Sequence, residues 1–142
     1  MNAMITPVFN CVVHPWLCDI MGHLTTRHYV AFFDDASYFW LDRIFGWKGE
    51  QVIEAGLGFA DVKHTIEYQA EAATGDLLEV RACLIKVGGK SFTTRYEMYN
   101  LSKEEVAATL ESVCVFFDTN ARKAIQITGA MRAQANPYLQ TQ

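Results

Sequence analysis

Asp19 stands in an apolar, turn-forming run, Trp16-Leu17-Cys18-Asp19-Ile20-Met21-Gly22-His23, just ahead of a segment with helical periodicity. A carboxylate flanked in this way is partly removed from water, which raises its basicity and suits it to general-base or nucleophilic work. Shortly after it, the first turn of the helix offers backbone N–H groups that have no intrahelical acceptor. Such groups can take up charge developing on a carbonyl oxygen. A carboxylate on one side of a carbonyl carbon, with amide donors on its oxygen, is an acyl-transfer arrangement. The same residues also fit a plain turn in which Asp19 caps its neighbours, and spacing alone leaves both readings open. His23, in the same loop, is placed to bond Asp19, to touch a substrate or simply to pack the loop.

The elements that must position these groups follow from the pattern. Residues 4 to 13 read as a strand, with Pro7 marking an edge or an irregular start. Residues 14 to 27 follow no period, and long irregular stretches are where function concentrates. A helix is predicted from Thr26 to Phe45, capped by Thr25 or Thr26 and stopped by Gly46. Val30, Phe33, Ser37, Trp40 and Ile44 form one stripe, and Phe32, Ala36, Phe39 and Arg43 the next, so the helix should be enclosed. Trp16, Phe32, Phe33, Phe39 and Trp40 are expected mainly in the core. Gln51 to Ala55 adds a helical turn.

The remainder alternates as strands: 59–70, with Val62, His64, Ile66 and Tyr68 opposite Asp61, Lys63, Thr65 and Glu67, then 77–87, 91–101 and 106–117. Turns fall at Thr74-Gly75-Asp76, Gly88-Gly89 and Ser102-Lys103-Glu104. A short segment at 123–127 and a weak helix near 130–135 follow. The order predicts an α+β domain over 1–136, an antiparallel sheet of about five strands around one long helix, with 137–142 as a loose tail.

Composition narrows the function. A net charge of −4 disfavours general nucleic-acid binding, which needs a basic face. No apolar run is long enough to span a membrane, and no secretory signal is visible, so a cytoplasmic protein with no membrane partner is expected. Cys11, Cys18, Cys83 and Cys114 form no C-x-x-C pair and read as reduced thiols. His14, His23 and His28 lack the close pairing of a zinc site, so no metal is expected. There is no G-x-S-x-G elbow and no Gly-rich nucleotide loop.

The run Asp19-Ile-Met-Gly22-His23-Leu-Thr-Thr-Arg-His-Tyr29, followed by Phe33-Asp34-Asp35-Ala36-Ser37, resembles the signature of hotdog-fold acyl-CoA thioesterases. It is nearest to the 4-hydroxybenzoyl-CoA thioesterase type and its YbgC-like relatives. The resemblance covers roughly residues 5 to 127. It implies strand order 1-3-4-5-2, homodimers joined at a strand edge, dimers that can pair into tetramers, and active sites at the subunit interface.

By the same resemblance Asp19 is the catalytic carboxylate, as nucleophile or as base on water, and the Thr26 backbone N–H polarises the thioester carbonyl. Tyr29 matches a substrate-site position. Lys90 and Ser91 fall in the stretch that holds the CoA phosphates in the hydroxybenzoyl type, where here only Lys90 keeps a charge. CoA belongs to the substrate, and no cofactor is implied.

His23 is carried as a catalytic candidate, and His64, on the apolar side of its strand, as a core histidine or a border of the acyl pocket. Asp34 is expected to brace the catalytic loop. The aromatic residues would suit an aromatic, short branched or cationic acyl group. Two other readings stay open: a hotdog hydratase or dehydratase, and a non-catalytic acyl-CoA-binding module.

Overall fold

The computed structural model describes residues 5–140. Strand β1 (Thr6–Val12) leads through a short 3-10 turn to helix α1 (Thr26–Phe45), which ends on Gly46 in the left-handed conformation that only glycine adopts freely. Helix α2 (Glu50–Ala55) precedes strands β2 (Leu57–Tyr68), β3 (Leu77–Val87), β4 (Ser91–Asn100) and β5 (Glu105–Asp118). The two-residue strand β6 (Lys123–Ala124) and helix α3 (Gly129–Ala135) close the chain. The sheet runs β1-β3-β4-β5-β2, antiparallel throughout, with β6 on β5. This is the hotdog layout expected from the sequence. Among the described residues no helix is long and apolar enough to cross a membrane.

Helix α1 fills the concave side of the sheet. Phe33, Ala36, Trp40 and Ile44 point into it and meet Leu78, Val80, Phe92, Met98 and Phe116, all fully buried. Trp40 is the largest of these, and its indole N–H donates to the Thr94 hydroxyl at 3.1 Å, so a bulky ring enters the core without an orphaned donor.

The expected enclosure of α1 holds on one side only. Asp34 and Tyr38 are exposed because the sheet curls around one face of the helix and stops at the β2 edge; Val30 is exposed too, and Phe39 lies at the other rim, stacked on Phe9 of β1 at 5.5 Å. Trp16 (73% exposed) and Phe39 (55%) are therefore not core residues. Trp16 stacks on His14 at 4.4 Å above the irregular loop instead.

Two further expectations shift. The β3–β4 reversal falls on Gly89-Lys90, with the Gly88 amide bonded to the Ser91 carbonyl at 2.7 Å. Residues 137–140 are docked, not loose: Tyr138 meets Trp40 edge-to-face at 5.5 Å, and the Gln140 amide donates to Leu84 at 2.7 Å. The rest of that segment, 141–142, lies outside the described residues, as does Met4 of the expected first strand.

The turn between β2 and β3 is held by a buried polar knot. Asp76 accepts from the Ala73 amide at 2.9 Å and the Asn100 side chain at 2.8 Å, with Lys103 Nζ at 3.2 Å. Asn100, fully buried, accepts in turn from the amides of Ser102 and Lys103. Burial works to raise the Asp76 pKa, but these donors together outweigh it and hold the carboxyl below its ordinary value. The stabilisation is thus complete above about pH 4, the unfolded carboxylate value, and is lost as pH falls through the lower folded one. Asp76→Ala should cost about 2–3 kcal/mol in urea unfolding at pH 7, by leaving Asn100 and Ala73 unpaired, and appreciably less at pH 2. An equal loss at both pH values would contradict the ionised knot.

Candidate active site

The loop ahead of α1 folds back as a miniature hairpin, because Gly22 takes φ +78 and Cys18 bridges Leu24. The Asp19 amide donates to the His23 carbonyl at 2.8 Å, and the Gly22 amide to the Asp19 carbonyl at 3.0 Å. Asp19 Oδ1 accepts from the amides of Met21 at 2.9 Å and His23 at 3.2 Å. Asp19 therefore caps its own turn, as the plain-turn reading expects. One oxygen caps the turn, and Oδ2 has no protein hydrogen bond among the described residues.

Asp19 and Thr26 line one open cleft of about 290 Å3, with His23, Tyr29, Tyr68 and Glu71 around it. Thr25 is the N-cap of α1; its carbonyl accepts from the His28 amide at 2.9 Å, but its side chain makes no capping bond, and the amides of Thr26 and Arg27 have no protein partner among the described residues. The half-buried carboxylate thus shares a cavity with a helix N-terminus. Tyr29 stands one turn in, edge-on to Tyr68 at 5.1 Å. Burial raises its phenol pKa, the Ala72 amide works against that, and the charges of Glu71 and Asp19 add to the rise.

His23 does not turn its ring to Asp19. Its Nε2 lies 3.2 Å from Glu71 Oε2, and only its backbone reaches the Asp19 carboxylate. Glu71 is the site residue that sequence reasoning missed. It follows β2 by three positions and enters because residue 23 bridges residue 73, a pairing between distant segments with no local signal.

His64 is outside this cleft. It sits in a small recess with Asp34 and Asp61, its Nε2 3.6 Å from Asp61 Oδ1, and it is not a core histidine. Asp34 likewise faces Asp61 and His64 and does not brace the Asp19 loop. The face assignment of β2 needs correction here. Strict alternation sets Asp61 opposite His64, but the register slips between Asp61 and Lys63, and this bulge returns both side chains to the concave side. Lys90 and Ser91 sit at the β3–β4 hairpin, the opposite end of β3 from the turn that floors the cleft. A single chain does not bring them to Asp19.

An antiparallel sheet wrapped on one helix, with a carboxylate and helix amides opening on a shared cleft, defines a hotdog-type acyl-transfer protein. The chain matches the model of the Thioesterase-like superfamily over residues 13–135, and it belongs to that family and is a thioester hydrolase by class. No curated protein matches it in sequence.

Solved structures with the same fold include a hypothetical protein of Staphylococcus aureus in complex with CoA. It shows 16% identity and a TM-score of 0.85, covering 97% of this chain and 87% of that one. A 1,4-dihydroxy-2-naphthoyl-CoA thioesterase from Synechocystis shows 18% identity and a TM-score of 0.77, covering 90% and 93%. A gentisyl-coenzyme A thioesterase shows 19% identity and a TM-score of 0.78, covering 89% and 98%.

The positive φ at Gly22 carries the loop, and an added Cβ there meets open space, so only backbone strain opposes substitution. Gly22→Ala should cost about 1 kcal/mol in thermal unfolding, and Gly22→Asn, which tolerates this region better, should cost less. Equal costs for both would mean the loop does not depend on that conformation.

Proposed function

We propose that this chain hydrolyses a small acyl-CoA to free acid and CoA, in the manner of the 4-hydroxybenzoyl-CoA thioesterase type. The observation that carries the reading is the shared cleft of Asp19 and the first-turn amides of α1. The thioester oxygen rests on the Thr26 N–H, and Asp19 Oδ2 faces the carbonyl carbon. Asp19 either attacks that carbon, the C–S bond breaking to release CoA thiolate and water then cleaving the anhydride, or it removes a proton from the attacking water. His23, held by Glu71, borders the same space and can return a proton to the leaving sulfur. The CoA-bound neighbour and the two acyl-CoA thioesterases of the same fold support a CoA ester as the substrate.

The working unit is a homodimer joined along β2. That strand is twelve residues long and forms a sheet edge, and Val62 and Tyr68 on it are exposed. Long unprotected edges of this kind pair with another chain. Lys90 and Ser91 reach CoA phosphates only from another subunit, as in a dimer of dimers. Sedimentation should give at least twice the chain mass of 16.0 kDa, and a monomer at working concentration would remove the completing subunit.

Asp19→Asn tests the chemistry. The asparagine oxygen can keep the bonds from Met21 and His23, so the loop survives while the charge is lost. CoA release, followed by thiol detection over aromatic, short aliphatic, branched and cationic esters, should fall at least ~100-fold with the melting temperature unchanged. Turnover close to that of the unsubstituted enzyme would end the mechanism.

A further inference from the structure

A second cavity lies between the C-terminal half of α1 and the start of β2, and the chemistry above does not use it. It measures about 300 Å3, and its walls include Tyr38, Trp47, Phe59, Asp34 and Asp61. The three rings contact one another at angles. Trp47 and Phe59 meet edge-to-face at 4.9 Å, Tyr38 and Phe59 edge-to-face at 5.6 Å, and Tyr38 and Trp47 tilted at 5.8 Å. Trp47 is buried and pinned, its indole N–H donating to the Leu57 carbonyl at 2.9 Å. Three aromatic rings bordering one volume make a cage in which a soft cation can be held wherever a ring face is open to it.

The charge of the cavity is a separate observation. Among the described residues neither Asp34 nor Asp61 has a lysine or arginine within ion-pair distance, and His64 is the nearest basic group. The guanidinium groups that cover rings lie elsewhere, Arg81 on Tyr99 and Arg122 on Phe117. Asp61 is oriented by neutral donors, the Cys114 thiol at 2.7 Å and the Ser112 hydroxyl at 3.4 Å. Burial of the Cys114 thiol, reinforced by this bond, pushes its pKa up to about 12 and keeps it a donor. Burial, then the charges of Asp61 and Asp35, raises the Asp34 carboxyl, with His64 opposing. Two carboxylates thus share an aromatic recess with no lysine or arginine paired to either, His64 at 3.6 Å from Asp61 being the one basic group beside them among the described residues. A neutral guest would leave their repulsion in place, and an anion would add to it.

Within one chain the cage is too far from Asp19 for a small substrate to span. Thr26 and Tyr38 are twelve residues apart on α1, roughly 18 Å along its axis. The proposed pairing of β2 edges closes that gap when its two-fold axis falls at His64. For an antiparallel two-fold centred at His64, Phe59 of one copy lies opposite Gln69 of the other, and Gln69 lines the Asp19 cleft. The cage of one subunit then adjoins the catalytic loop of its mate.

We infer that the acyl group of the substrate is cationic, of the quaternary or methylated ammonium class, seated among Tyr38, Trp47 and Phe59 and faced by Asp34 and Asp61. The inference rests on the hydrolase reading and on the two-fold pairing. Its test compares two CoA esters of one shape: trimethylammonioacetyl-CoA, and its uncharged carbon isostere 3,3-dimethylbutanoyl-CoA. The cationic ester should have a kcat/KM at least ~10-fold higher, and in Asp34→Asn and Asp61→Asn that ratio should fall toward one. Because a ratio of two substrates is read, loss of folded enzyme does not move it.

A ratio of one or below in the unsubstituted enzyme overturns the inference and leaves the hydrolase reading standing. If no ester of the wider panel releases CoA, the hydrolase reading fails. Calorimetric titration with tetramethylammonium against tert-butanol then decides the cage by itself. Binding of the cation that Asp34→Asn weakens supports the cage, and equal or absent heats refute it.

Discussion

The Asp19 carboxylate is divided between two tasks, and the rest of the site is built around that division. Oδ1 closes the 19–23 turn through the amides of Met21 and His23, and so the side chain cannot swing away. Oδ2 is left toward the cleft that the first turn of α1 also borders. In the proposed mechanism, a carboxylate fixed by its own backbone would need no other side chain to aim it, which would lower the reorganisation required at the moment of reaction. The cleft in turn depends on the segment after β2. Leu24 and His23 pair with Ala72 and Ala73, and Asp76 and Asn100 lock that segment to the sheet.

The parts of this arrangement that are legible in the sequence are those written in local patterns. Helix α1 is readable to its ends because a 3.6-residue stripe, a threonine cap and a terminal glycine coincide. The motif from Asp19 to Tyr29 falls within one loop and one helical turn, so its spacing is readable locally, although residues 71–73 hold that loop in place. β2 shows the opposite case. Its alternation is regular in the sequence, but one bulge between Asp61 and Lys63 reverses the faces beyond it, and no residue type there announces the slip. Glu71 is invisible for a related reason, since its contact with His23 is made by two irregular segments that only the finished sheet brings together. The docking of 137–140 depends on the stretch of β3 beyond its pairing with β1, where Leu84 bridges Leu139, and on the Trp40 ring that Tyr138 covers, both products of the tertiary fold.

Helix α1 and strand β2 leave their uncovered surfaces on the same side of the chain. The buried stripe of α1 faces the sheet, whereas Asp34 and Tyr38 look toward β2, beyond which no further strand is paired among the described residues. A domain of this size has enough apolar residues to close a core, and it has done so around Trp40. What remains open is therefore not a defect of packing. In the proposed homodimer the strand edge and helix flank would share one occupant, a second copy set antiparallel to the first.

Such a copy would bring together two environments that one chain keeps apart. At the start of α1 the free amides and the positive end of the helix dipole favour oxygen-borne negative charge. Near its middle and end, Asp34 and Asp61 among the rings favour positive charge. A substrate with a carbonyl oxygen at one end of its acyl group and an ammonium at the other would be aligned by both, with the carbonyl carbon carried to Asp19. Binding energy gathered at the ammonium would then position the bond being broken. On that proposal the two carboxylates would contribute only when a cation sits between them, and selection of the acyl group and orientation of its thioester would follow from one pair of opposed electrostatic environments.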